Sequence, residues 1–107
     1  MKYKSSVQVT NSFKDSKLLI LEPWAEEFEM LSGETFEFVG EGEKEGNFEV
    51  EFSENAIIVF GWESSTVKIF CDGEKINNGA SGKIAIPKFP EGKSFSSLVK
   101  VMFYGKR

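Results

Sequence analysis

The stretch Asn47-Phe48-Glu49-Val50-Glu51-Phe52-Ser53 alternates large apolar and acidic side chains with a period of two. On an extended strand successive side chains point to opposite faces. Phe48, Val50 and Phe52 therefore predict a buried face, and Glu49 and Glu51 a wet one. That is the pattern of an antiparallel strand covered on one side only.

The same period runs outward in both directions. Val7 and Val9 alternate with Ser6, Gln8 and Thr10, and Phe36 and Phe38 alternate with Thr35 and Glu37. Ala56 to Phe60 and Leu98 to Tyr104 are apolar on both faces, Lys100 aside, and read as central strands covered on both sides. Val67 to Cys71 and Lys83 to Ile86 read as further strands. Between Pro23 and Leu31 two periods compete. Trp24, Phe28 and Leu31 fit a helix, whereas Phe28 and Met30 fit a strand. A Gly-containing turn and another Phe-rich strand follow, so a strand is expected there. Turn signals separate these runs: Ser32-Gly33-Glu34, a charged loop from Gly40 to Gly46, Ser53-Glu54-Asn55, Asp72-Gly73 and Asn77-Asn78-Gly79.

About nine short strands spaced by turns predict an all-β fold, a single antiparallel β-sandwich of jelly-roll type spanning residues 1–107. A cupredoxin-like or immunoglobulin-like sandwich is the alternative. The expected core is Leu19, Leu21, Phe36, Phe38, Phe48, Val50, Phe52, Ile58, Phe60, Val67, Ile69, Val99, Val101 and Phe103. A chain of 107 residues with eleven Phe, two Trp and two Tyr can bury such a core without staples.

Charge is unevenly distributed. From Glu22 to Ser65 there are thirteen Glu against one Lys, while both flanks are basic, so the net −4 conceals a strongly polarised chain. A fold can gather that block on one face or pair it with the flanks. The expected partner is a second copy of the chain, as a homo-oligomer, or a basic protein.

The chain has no His. This removes Ser-His-Asp and Cys-His catalysis and His-based metal sites. The single cysteine, Cys71, shares a strand face with Val67 and Ile69 and reads as a buried small hydrophobe. Glu22, Glu26, Glu27, Glu29, Glu49 and Glu51 could supply a glycosidase carboxylate pair, but glutamates on the wet faces of strands also discourage edge aggregation. Glu41, Glu43 and Glu45 alternate along a Gly-flanked loop. They lack the Asp-rich spacing of a Ca²⁺ loop, and no metal or other cofactor is expected. Gly79-Ala80-Ser81-Gly82-Lys83 has two residues between its glycines where a phosphate loop needs four, and Ile84 replaces the Mg²⁺-binding hydroxyl. The basic residues from Lys83 to Arg107 form no clear nucleic-acid face on an acidic protein. Leu18-Leu19-Ile20-Leu21 is too short for a signal core or membrane span, so a cytosolic protein is expected.

Trp24 and Trp62 stand near strand ends, where tryptophan either packs the core or stacks on a ligand such as a sugar ring. With Glu26 they form the candidate ligand-binding set.

Leu19 to Met30, with Glu22-Pro23-Trp24-Ala25-Glu26-Glu27-Phe28 at its centre, followed by Ser32-Gly33-Glu34-Thr35-Phe36, resembles small bacterial cupin-like β proteins. Pro90-Glu91-Gly92 is similar to the Pro-x-Gly turn of the second cupin motif. The resemblance implies a jelly-roll sandwich. It departs from the family at the metal site, since Phe95 stands where the family places a histidine ligand and the His-x-His motif is missing. Metal-dependent cupin chemistry is therefore not implied.

Three functions follow as expectations. The first is a non-catalytic binding or assembly protein. The second is a small-molecule or carbohydrate-binding module using Trp24 and Trp62, and the third is a carboxylate-dependent enzyme.

Overall fold

The computed structural model describes residues 2–88. Among these residues eight strands run in chain order: β1 Tyr3–Thr10, β2 Lys17–Glu22, β3 Glu26–Met30, β4 Thr35–Gly42, β5 Glu49–Phe52, β6 Ala56–Phe60, β7 Ser65–Cys71 and β8 Glu74–Lys75. A 3₁₀ turn, Ala80–Gly82, follows. They form two four-stranded sheets, β1-β4-β7-β8 and β3-β2-β6-β5, packed as a β-sandwich. Pairing is antiparallel except between β2 and β6, which run parallel, Ile20 beside Ile58. No helix among the described residues is long and apolar enough to cross a membrane.

The ambiguous segment after Pro23 resolves as strand β3, because its alternation lets Phe28 and Met30 face the core and Glu27 and Glu29 face out. Asp72 and Gly73 both take positive φ, as a two-residue hairpin turn requires, and join β7 to β8. Gly33, also at positive φ, turns the chain from β3 to β4.

The core is the interleaving of two inner faces. Leu19, Leu21, Met30, Ile57 and Val59 come from one sheet; Val9, Phe36, Phe38, Val67 and Ile69 come from the other. Phe48 and Val50 pack against this core half-buried.

Ile58 and Phe60 are buried as expected, on the outer face of their sheet, since Ile57 and Val59 take the inward positions. Three expectations are corrected. Phe52 is 56% exposed rather than buried: it ends β5, an edge strand among the described residues, where it stands opposite Ile57. Lys83 to Ile86 forms no strand. Lys83 and Ile84 donate back to Ala80, closing the 3₁₀ turn, and among the described residues Ile86 bonds with Ser64 and Ser65. The charged loop begins later than Gly40, because β4 continues to Gly42 opposite Tyr3 and Ser65. The expected strand Leu98–Tyr104 and the core residues Val99, Val101 and Phe103 lie outside the described residues.

Leu21→Ala removes a fully buried side chain and is expected to cost about 2–5 kcal/mol by urea unfolding. Phe52→Ala should cost less than about 1 kcal/mol, as surface substitutions do. Equal losses at the two positions would refute the assigned faces.

Candidate functional site

Trp24 and Glu26, the first two members of the expected site, flank the turn from β2 into β3, and both grip the segment from Gly79 to Ile84. The Trp24 indole N–H donates to the Ile84 carbonyl at 2.9 Å. The Glu26 carboxylate accepts from the Ser81 hydroxyl at 2.6 Å and from the Ser81 N–H at 3.1 Å. Glycine at position 79 is what admits this carboxylate, because a Cβ there would collide with Glu26 Oε2.

Behind Ser81 stands Asn77. Its amide donates to Ser81 Oγ at 2.7 Å and to the Val67 carbonyl at 2.8 Å, and its Oδ1 accepts from the Ile69 N–H at 2.8 Å. The side chain thus prolongs the β7 edge where β8 stops. It links one sheet, through Ser81, to Glu26 on the other. A serine hydroxyl beside a carboxylate has the parts of an activated nucleophile. Here Ser81 is 0% exposed and Asn77 1%, so no substrate reaches the oxygen, and the arrangement is a lock between sheets.

Trp62 makes separate contacts. It is 6% exposed, lies over Gly40 and Gly46, meets the Phe48 ring edge-on at 5.3 Å and donates its N–H to the Lys44 carbonyl at 2.9 Å. Any side chain at position 40 or 46 would occupy the indole's place. The structure therefore brings Trp24 and Glu26 together around one segment and puts Trp62 in the neighbouring corner as packing.

The acidic block is divided between the two outer faces. On the β1-β4-β7 face, Lys2 pairs with Glu43 at 3.7 Å and Lys4 with Glu41 at 4.0 Å, so the basic amino-terminal flank meets the acidic strand β4. Beside them lies a depression of about 150 Å³ lined by Lys4, Val39, Glu41, Thr66 and Lys68. On the other outer face Glu27 and Glu29 of β3 and Glu49 and Glu51 of β5 stand along the two edges, with β2 and β6 between them. Three strand spacings, about 14 Å, separate those edges. Among the described residues no group of three His, Cys, Asp or Glu side chains is placed to hold a metal ion.

Sequence reasoning missed the Asn77–Ser81–Glu26 lock. Glu26 and Ser81 are 55 residues apart, and Asn77-Asn78-Gly79 carries only a turn signal. Cys71 is half-buried beside Glu34. Burial first, then the negative charges of Glu34 and Asp72, push its thiol pKa upward.

No family model, curated protein or solved structure matches this chain.

Glu26→Ala leaves the buried Ser81 donors without their acceptor. The Glu26→Ala/Ser81→Ala double-mutant cycle is expected to show a coupling of about 1–3 kcal/mol by chemical denaturation; additive losses would mean that the bond contributes nothing. For Cys71, the folded thiol keeps its proton to higher pH than the unfolded one. Its contribution to stability is thus present below the ordinary thiol value and lost as pH rises through the raised one. The alkylation rate should turn upward later than that of an unfolded peptide, and earlier in Glu34→Gln. Coincident pH profiles for all three would contradict the assigned causes.

Proposed function

We propose that this protein is a non-catalytic binding or assembly module whose contact surface is the outer face of the β1-β4-β7 sheet. The observation that carries the reading is the mixed-charge lattice on that face. Lys4, Glu41 and Lys68 alternate across three strands around the depression, with Thr66 and Val39 between them. Lys4, Ser6, Gln8, Thr10 and Lys68 are all exposed there. Such a face is complementary in charge to a second copy of itself turned through a half rotation, and cyclic two-fold dimers are the commonest assemblies. Strand β1 adds an eight-residue edge that pairs with β4 alone among the described residues.

The side chains that the enzyme and sugar-binding readings rely on support this choice by their contacts. Glu26 is held by Ser81, Trp62 is enclosed, and the Trp24 N–H is committed to a backbone carbonyl. The cupin-like resemblance adds a jelly-roll expectation for strand order and no chemistry.

Sedimentation velocity across a salt series tests the reading. Exposed charge pairs are screened within about 10 Å at 0.1 M salt and within about 3 Å at 1 M. Association should therefore weaken as salt rises, and it should be lost in the Lys4→Glu/Lys68→Glu double variant. A monomer at every salt concentration, unchanged by the double variant, would overturn it.

A further inference from the structure

The outer face of the β1-β4-β7 sheet carries a quartet of side chains at its middle. Val39 of β4 stands opposite Lys68 of β7, and Glu37 of β4 stands opposite Phe70 of β7. Their chain neighbours Phe36, Phe38, Val67 and Ile69 take the inward positions, so all four of the quartet point outward. The two charges therefore occupy one diagonal and the two apolar side chains the other. Lys68 is exposed, and Glu37, Val39 and Phe70 are half-buried. Diagonal neighbours on adjacent strands lie about 7–8 Å apart, within reach of a long side chain. Lys68 and Glu37 nevertheless make no ion pair with each other. The ion pairs among the described residues join Lys2 to Glu43, Lys4 to Glu41 and Lys44 to Glu63. Two opposite charges thus stand unpaired among the described residues, beside two apolar side chains that are only partly covered.

We propose that this quartet is the centre of a two-fold contact between copies of the chain, with Lys68 of each copy on Glu37 of the other; the proposal rests on the assembly function above and assigns its register. A half turn about an axis lying in the contact plane, along the Val39–Phe70 diagonal, exchanges the two ends of the other diagonal. It lays Lys68 over the glutamate of the second copy and Glu37 over its lysine, while Val39 and Phe70 meet their own copies on the axis. Each unpaired charge is then met by the opposite sign, and apolar surface is met by apolar surface. An isologous contact requires this reciprocity: where one residue meets a second, the second meets the first. Any other partner must present the same pattern reversed, and the chain already presents it. Lys68 also lines the depression beside Lys4, so the quartet and the depression are continuous. Lys4 is already paired with Glu41. The choice of partner and register therefore falls to Lys68 and Glu37.

Charge reversal in the full chain tests the register. Lys68→Glu opposes glutamate to glutamate across the contact, and Glu37→Lys opposes lysine to lysine. Each variant alone should lose self-association in sedimentation velocity at low salt. An equimolar mixture of the two should associate about tenfold or more tightly than either alone, because every contact then joins opposite charges. The Lys68→Glu/Glu37→Lys double variant should self-associate as the wild type does, which separates loss by charge from loss by misfolding. In a Cys71→Ser background, Val39→Cys on the axis should form a disulfide between copies on mild oxidation. Its yield should be about tenfold above that of Thr10→Cys, which lies on the same face away from the axis. Wild type that associates in a salt-sensitive way while the mixture stays monomeric, or equal disulfide yields at the two positions, would overturn the register and leave the assembly function standing. Wild type that is monomeric at every salt concentration would overturn both.

Discussion

Closure of two sheets over one apolar layer is the constraint on which the rest of this molecule depends. Leu19, Leu21, Ile57 and Val59 from one sheet meet Phe36, Phe38, Val67 and Ile69 from the other, and every one of them is buried. Burial of each such side chain is worth about 1.5–3 kcal/mol, and neither sheet alone could supply it. Among the described residues the chain crosses between sheets four times to build this layer, at the links into β2, β4, β5 and β7. Those crossings set the polar demands of the sandwich ends.

Two buried asparagines meet much of that demand. Asn11 accepts from the Phe13 N–H and donates to the Asp15 and Met30 carbonyls, fastening the first crossing. Asn77 plays the matching part after β8, and Ser81 and Glu26 extend it to the other sheet. No buried side-chain nitrogen or oxygen among the described residues lacks a partner. An amide offers two donors and a double acceptor on one short stem, so it can replace a missing strand residue where a ladder ends. Glu26 therefore reads differently once its surroundings are known: a carboxylate that looks free for chemistry in the sequence is a cross-sheet fastening in the fold.

The strands were legible because their signal is local. Period-two alternation identified β3, β4 and β5, and the unbroken apolar run identified β6 as a strand covered on both sides. Alternation does not say which face is inner for a strand apolar on both. Hence Ile58 and Phe60 fell on the outer face and Ile57 and Val59 on the inner one. It also cannot say where an edge strand outruns its cover, which is why Phe52 is exposed. The Asn77–Ser81–Glu26 lock and the depression beside Lys4 and Lys68 join residues far apart in the chain, and their positions follow from strand order alone. The division of the acidic block was out of reach for the same reason. Glu41 and Glu43 meet the amino-terminal lysines, whereas Glu27, Glu29, Glu49 and Glu51 share the opposite face.

The two outer faces consequently differ in kind. One is a polar, mixed-charge lattice suited to reversible contact; the other carries Ala56, Ile58 and Phe60 of β6, all buried, between the glutamates of β3 and β5. Hydroxyl-radical footprinting of the intact chain tests this asymmetry most directly. Phe60 and Ile58 should be labelled as slowly as the core residue Phe38, while Tyr3, Phe13 and Phe52 are labelled rapidly. Labelling of Phe60 at the rate of Phe52 would show the outer face of β6 open to solvent and contradict the account.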